Sequence, residues 1–538
     1  MTEPTHFTAG NTPDAPRSDL PDLLQALAAD LREAGYTLEG VADLLGEPAY
    51  AALNRDQLIP ALIATEAAAA GEPRTAALAA VVRFWLLAVP QEAAVLDGAL
   101  PRTRAEGLVA LGLAKITGTK VAAEADLRPY GWDSGDGGVE IWVASDLAAH
   151  QRPGVLRHDH VLGIGQASTT LVQSTIRRPA GRALDLGTGC GIQTFHLLQH
   201  SGHVTATDIS ERALAFTRFN LLLNAEALDI NPVRPDERVS LRLGSLLEPV
   251  AGEAFDLVVS NPPFVITPRT AGEAAADQFT YRDGGLPGDE IVASLIRSLP
   301  EVLAPGGTAQ LLGNWEIPDG STWDERPQSW AGPDTDAWFI QREQVGPEQY
   351  AETWLQDASE ARDRRHYQEA YAAYLADFAS RNVAGIGFGM IFLRRPAGAR
   401  RIHRFEEITY PIEQPVGPHL GAAVDRADWL ADHDVAAAHL LVAEDVTEER
   451  HQRPGAEHPG VILLRQGSGL RRTNLLSTEL AGFVSACDGD LTAGQIIGAL
   501  EALLGGTEEF DGDAFRTGLL TEVANLVRDG FLLPASPD

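Results

Sequence analysis

The chain has 538 residues, 44% of them hydrophobic, with 42 basic against 75 acidic residues and a formal net charge of −33 at pH 7. That length suits about three domains. The acidic excess argues against a broad phosphate-binding surface, which needs clustered Lys and Arg, and leaves room only for a local basic groove.

Residues 1–19 are polar and proline-bearing, with no basic or apolar leader segment, and read as a disordered tail rather than a signal peptide. Residues 20–150 read as a helical, winged-helix-like domain. "LPDLLQALAADLREAG" and "TAALAAVVRFWLLAV" carry apolar residues at helical spacing. The second stretch contains Arg83, stops at Pro90 and is too short to span a bilayer, so no membrane association is expected. "RTRAEGLVALGLAKI" is a further helix, and "KVAAEADLRPYG" and "GVEIWVASDL" flank the turn "WDSGDGG".

From 151 to 396 the pattern changes. "GRALDLG", "HVTATD", "VSLRLG", "FDLVVS", "GTAQLLG", "AWFIQRE" and "AGIGFGMIFLR" are short apolar strands separated by amphipathic helices. This alternation predicts an α/β fold with a Rossmann-like, seven-stranded, doubly wound sheet. Residues 346–382 form a helical insertion before the last strand. Residues 397–460 are a mixed connecting segment. Residues 461–538 read as a second winged-helix-like domain, three helices followed by "FLLP". It has no basic recognition helix, which favours a packing or protein-docking role. Cys190 and Cys487 stand far apart, form no disulfide framework and suit a reducing cytoplasm.

Three motifs carry chemistry. "RALDL" runs into Gly187-Thr188-Gly189-Cys190-Gly191, where glycines let the backbone pass close to a ligand; a ligand-free turn uses the same letters. Asp208 ends the next strand and can accept from both hydroxyls of a ribose, or cap the helix "SERALAF"; Ser210 can serve as that cap instead. "FDLVVSNPPFVI" is a buried strand stopped by Asn261-Pro262-Pro263-Phe264, since proline cannot donate to a ladder and restricts its predecessor.

In this order, "LDLGTGCG", "TATD" and "VVSNPPF" resemble the class I S-adenosylmethionine-dependent methyltransferases over roughly residues 155 to 315. The "NPPF" form is similar to enzymes that methylate nitrogen on a planar group: HemK/PrmC-type release-factor glutamine methyltransferases, ribosomal RNA guanine-N2 enzymes and adenine-N6 enzymes. The resemblance implies S-adenosyl-L-methionine as cofactor, held by Asp185, Gly187, Thr188, Gly189, Gly191 and Asp208. It implies that the Asn261 side-chain oxygen and the Pro262 carbonyl accept the N–H bonds of the target nitrogen while Phe264 stacks on the substrate plane. Gly163, Gln166 and Ser168 stand where relatives flank the methionine end, or simply begin a helix. Ser245, or the backbone of Leu246, takes the adenine-contacting place. The glycines of "YRDGGLPGDEIVASLI" suggest a mobile loop over the site.

Other residues have structural readings. "RHDH" at 157–160 lacks a distal ligand cluster, so no metal is expected. Cys190 fills space, Trp315 is core or pocket wall, and Arg177 and Arg178 lie on a solvated surface. The implied partners are a release-factor-like protein or a ribosomal or transfer RNA, with protein glutamine, guanine N2 and adenine N6 all open as acceptors. Two other classes compete. One is a scaffold that keeps a methyltransferase fold and binds protein or RNA; the intact Gly187, Gly189, Gly191, Asp208 and Asn261 argue against it. The other is a nicotinamide dehydrogenase, disfavoured because the loop reads GxGxG rather than GxGxxG.

Overall fold

The computed structural model describes residues 7, 10–133, 137–152, 156–269, 284–357, 364–505 and 510–535. The chain divides into two compact units. The first comprises Met1–Val172, Pro179–Thr335 and Glu343–Ala397; the second comprises Gln173–Arg178, Asp336–Arg342 and Gly398–Asp538.

Six strands of the first unit lie in the order Val239–Leu243, Ser201–Asp208, Ala180–Leu186, Phe255–Ser260, Leu303–Pro318, Val383–Arg394. The first five run parallel and the last is antiparallel. Runs such as Leu257-Val258-Val259 are buried, as expected of strands covered on both faces. Strand order reverses beside Ala180–Leu186, so its C-terminal end and that of Phe255–Ser260 flank a topological switch point. Register places Leu186 level with Thr207 on one side and Ser260 on the other. The sheet was expected to hold seven strands; the one read from "AWFIQRE" lies within Asp336–Val345, and its Asp336–Arg342 portion belongs to the second unit, where it pairs in parallel with His403–Glu407. The insertion forms two helices, Pro347–Asp357 and Arg364–Ser380.

The expected boundary at residue 150 is not a boundary of compactness, because residues 20–150 share the first unit with these strands. The reason is a side-chain zipper. On helix Glu211–Leu223 and its cap, Asn220 and Asn224 sit one turn apart. Asn220 accepts from the Ala144 N–H at 2.8 Å and donates to the Ala144 carbonyl at 2.9 Å. Asn224 does the same for Trp142, at 2.9 and 2.7 Å. Two amides thus imitate a neighbouring strand along Gly138–Ser145, where residues 142 and 144 present their backbone groups in the same direction. Upstream lie helices from Pro21–Ala34 to Pro73–Trp85, then strand Gln91–Glu92, helices Ala93–Ala99 and Arg104–Ala110, and the hairpin Ala114–Thr117 with Lys120–Ala123.

The described part of the N-terminal segment is not the expected tail. Arg212, 6% exposed, donates to the Asp14 carbonyl at 2.7 and 3.0 Å while its guanidinium forks onto Asp146 at 2.7 and 2.9 Å. The Phe7 N–H donates to the Leu241 carbonyl at 2.9 Å.

In the second unit the expected boundary at 460 cuts through sheets. Val446–His451 pairs antiparallel with Val461–Gln466, and His439–Val442 pairs with both Asp488–Thr492 and Leu532–Pro534. Helices Thr478–Ser485, Ala493–Leu504 and Gly512–Asp529 bury Phe483, Ile496 and Val523 against Leu440, Ile462 and Leu464. Thr492 and Gln495 form a capping box at the second of these helices.

Candidate active site

The glycine loop leaves the first strand with Gly187 at φ 77° and Gly189 at φ 58°, backbone that side chains rarely tolerate. A Cβ at either would meet nothing within 4 Å, so both present bare backbone to open space. The loop is pinned because the Thr207 carbonyl accepts from Gly187 and Thr188, each at 2.9 Å. Gly191 plays a different part: a Cβ there would come 2.6 Å from the Phe195 ring, so this glycine serves packing.

Asp185 does not reach the cavity, contrary to its reading as a cofactor ligand. It is fully buried beneath the loop. One carboxylate oxygen accepts from the Thr188 hydroxyl at 2.8 Å, the Thr194 hydroxyl at 2.7 Å and the Thr194 N–H at 2.9 Å. Burial pushes its carboxyl up to about 6, against the pull of those donors. Asp185 is therefore a buckle that joins the loop to the helix Ile192–Leu197.

Asp208 stands at the end of the second strand. Its Oδ2 accepts from Gly189 N–H at 3.0 Å and its Oδ1 from Ser210 N–H at 2.9 Å. Ser210 is the helix cap, accepting from Ala213 N–H. Burial raises the Asp208 carboxyl above the usual range, opposed by N–H groups of Ser210, Gly189 and Ile209. Each oxygen keeps a lone pair beyond its backbone bond.

The Phe255–Ser260 strand delivers the third motif beside the first. Ser260 donates to the Leu186 carbonyl at 2.8 Å, fastening the two strand ends. The Asn261 side-chain oxygen is buried and accepts no hydrogen bond. The Pro262 carbonyl accepts from Phe264 N–H at 2.8 Å and keeps its second lone pair.

These groups converge on a cavity of about 320 Å³, the scale of a small-molecule site. Gly163, Ser168, Gly187, Thr188, Gly189, Asp208, Ser245, Leu246, Asn261 and Pro262 line it; Asp185, Gly191, Gln166 and Phe264 do not. Leu246 faces it with φ 47°, a strained conformation for a branched side chain. The cavity also takes residues that sequence reasoning missed. Gln193 lines it and donates to the Ser168 carbonyl at 3.0 Å, tying the start of helix Gln166–Ser174 to the glycine helix. His160 lines it, and burial lowers its tendency to protonate. Cys190 lines it as well, its thiol pushed up to about 12 by burial. Gln193 carries no local sequence signal, since its value depends on a helix elsewhere in the chain.

Remaining expectations fall as follows. Trp315 is fully buried and packs on Trp323 at 5.8 Å, away from the cavity. Arg178 donates to Asp425 and to the Gly421 carbonyl. Arg157 pairs with Asp159 and Asp14. Tyr281, Arg282 and Asp283 lie outside the described residues, while Gly284 and Gly285 line the cavity.

The fold and the site define a class. Residues 146–322 match the family described as the methyltransferase small domain, and this part of the chain is a class I methyltransferase domain whose cofactor is S-adenosylmethionine. Residues 33–124 match a domain of unknown function, DUF7059. Among curated relatives, the chain is 32% identical over 159 residues to the ribosomal protein uL3 glutamine methyltransferase of Bradyrhizobium diazoefficiens, covering 29% of this chain and 46% of the relative. It is 33% identical over 165 residues to the release factor glutamine methyltransferase of Geobacter sulfurreducens, covering 29% and 51%. It is 27% identical over 182 residues to the ribosomal RNA small subunit methyltransferase C of Alcanivorax borkumensis, covering 33% and 46%. The chain thus spans about half the length of these relatives. Among solved structures, the T. thermophilus 16S rRNA N2 G1207 methyltransferase in complex with AdoMet and guanosine is 17% identical, with 50% of this chain and 66% of that chain covered and a TM-score of 0.24.

The residues present fit this cofactor. Bare glycine backbone, a carboxylate with spare lone pairs and an unpartnered amide oxygen line one cavity. Among the described residues no group of His, Cys, Asp or Glu is placed to hold a metal ion, and no helix is long and apolar enough to cross a membrane.

Proposed function

We propose that the chain is an N-methyltransferase acting on a planar nitrogen of a translation component, with a protein glutamine amide as the favoured acceptor. The observation that carries this reading is the Asn261 side-chain oxygen, buried at the cavity with no donor of its own. A buried acceptor without a partner is costly and is relieved by an incoming N–H.

The bound cofactor supplies an electrophilic methyl group on a sulfonium sulfur. The chain's residues do the rest. Gly187 and Gly189 admit a ligand to within contact of the backbone. Asp208 offers lone pairs to vicinal hydroxyls. An amide or exocyclic amine has its lone pair drawn into a neighbouring π-system and is a poor nucleophile. Asn261, with the Pro262 carbonyl, would hold the two N–H bonds so that this lone pair faces the methyl group. Phe264, half-buried beside them, would stack on the acceptor plane. The methylated nitrogen loses its proton readily, so no general base is needed.

Support for a glutamine acceptor comes from the 32–33% identity to glutamine methyltransferases and from the net charge of −33, which disfavours long phosphate tracks. A nucleobase amine is the second reading, supported by the 27% identity to a ribosomal RNA methyltransferase. Titration with S-adenosylmethionine, followed by transfer of labelled methyl groups to fractionated protein and RNA, tests both. A scaffold would show neither heat nor transfer.

A further inference from the structure

Gly284 and Gly285 line the same cavity as Asn261, and so do Ile291 and Leu295 of the helix Glu290–Ser298. Gly284 lies so close over Ile291 that an added Cβ would come 2.1 Å from its Cδ1, so the wall there is bare backbone resting on one side chain. The wall stands on the far side of Asn261 from Asp208. Asp208 ends the strand two places from Phe255–Ser260 in one direction, whereas Val292 of the helix approaches the neighbouring strand in the other, where a Cβ on Gly313 would meet it at 3.0 Å.

A carboxylate diverted from its usual task fastens this wall. Asp289 occupies the cap position of the helix, where a side-chain oxygen ordinarily accepts from the helix's own first N–H groups, yet it makes no such bond. It is 1% exposed and accepts instead from the Glu316 N–H at 2.8 Å and from Arg326, through Nε at 3.0 Å and through Nη2. Such a fork fixes direction as well as distance. Glu316, buried beside it, accepts from Arg381 at 2.6 and 3.0 Å, and Arg381 donates in turn to Asp377 of the insertion helix at 2.8 Å. Gly288, at φ 58°, passes the Glu316 carboxylate so closely that an added Cβ would come within 3.1 Å of it. Burial, with the Asp289 charge adding, raises the Glu316 carboxyl above its ordinary value despite the Arg381 bonds. Two buried carboxylates side by side contribute little to stability, because desolvation cancels much of the attraction to their arginines.

We propose that Arg326 is a positioning residue for methyl transfer: through its fork on Asp289 it fixes the Gly284–Gly285 wall beside Asn261, so that a flat acceptor enters in line with the methyl group. This rests on the N-methyltransferase reading. Arg326 itself does not line the cavity, so its effect reaches the acceptor only through Asp289 and the backbone that Asp289 holds. Small displacements of such a wall cost rate out of proportion to their size.

The test follows label from methyl-labelled S-adenosylmethionine across a dilution series of lysate from a strain lacking the protein, which separates the maximal rate from the lysate concentration at half-saturation. Arg326→Met should lower the maximal rate about tenfold or more and leave the calorimetric affinity for S-adenosylmethionine within about twofold. Arg326→Lys, which keeps the charge but not the fork, should recover part of the rate. A merely stabilising ion pair would let Arg326→Met melt lower yet transfer at the wild-type rate while folded, and that result would overturn the proposal. If Arg326→Met does not fold, the double variant D289N/R326M, which strands no charge, takes its place with the same expected loss. Cofactor affinity falling in step with the rate would also overturn it, by assigning the wall to the cofactor. The two readings fail separately. Equal transfer by the wild type and the variants sinks the role of Arg326 alone, whereas no transfer by the wild type sinks the methyl-transfer reading and this one with it.

Discussion

Tyr350 holds Ile266: the backbone N–H of Ile266 donates to the phenolic oxygen at 2.7 Å, deep in the first unit where Tyr350 is 1% exposed. The same oxygen takes the Asn314 amide at 3.1 Å. Tyr350 belongs to the insertion helix Pro347–Asp357, and its ring stacks on Phe388 at 5.8 Å and meets Phe378 edge-on at 5.4 Å. An insertion that sequence reading left without a role thus braces the chain just beyond Asn261-Pro262-Pro263-Phe264.

Tyr350→Phe should keep the ring packing and strand the Ile266 N–H. The expected cost is about 1–3 kcal/mol of stability, read by urea unfolding. Methyl transfer should fall while S-adenosylmethionine affinity stays unchanged. A variant with full turnover would detach Tyr350 from the placement of the turn.

Asp208→Ala removes the carboxylate assigned to the ribose hydroxyls. Cofactor binding should weaken by about 1.5–3 kcal/mol, the range for hydrogen bonds to a charged group. Calorimetric titration measures this directly, and an unchanged affinity rejects the assignment.

Asp185 makes stability depend on pH. Its folded carboxyl is pushed up to about 6 from 3.8, so between those values the folded chain keeps a proton that the unfolded chain has released. Stability from this group therefore falls as pH rises through that window, by about 3 kcal/mol at most, and levels off above it. In Asp185→Asn this slope should vanish. The stability of the variant relative to wild type should climb between about pH 4 and pH 6. A pH-independent difference would show that Asp185 is charged in the folded chain throughout.

Asn220→Leu should disconnect the upstream segment from the methyltransferase helix. It strands the Ala144 N–H together with the Ala144 and Cys190 carbonyls. A loss of roughly 3 kcal/mol is expected, since each buried group left unpaired costs about 1–3 kcal/mol and such losses do not simply add. Urea unfolding with tryptophan fluorescence would report it, and a loss below about 1 kcal/mol would contradict the zipper.

Much of the site was legible because its residues carry local signals. Glycines after an apolar strand, a carboxylate at a strand end and a double proline each leave a mark within a few residues. Their convergence followed from strand alternation alone. Asp185 was misread because a strand-end carboxylate looks the same in sequence whether it faces a ligand or lies under a loop. Tyr350, Gln193 and the Arg212–Asp146 pair were missed for one shared reason: their partners are remote in the chain. The segment near Asp14 looked like a tail because polar composition does not reveal a backbone carbonyl held by a buried arginine. The upstream segment merged with the sheet through Asn220 and Asn224, two residues whose side chains only imitate a strand once the helix is in place.

The most direct test compares the wild-type chain with Asn261→Ala, each incubated with methyl-labelled S-adenosylmethionine and lysate from a strain lacking the protein. The wild type should label a protein or RNA of the translation machinery. The variant should bind the cofactor equally well by calorimetry yet transfer almost no label. Equal labelling by both would contradict the clamp at Asn261, and cofactor binding without transfer by the wild type would contradict the enzyme.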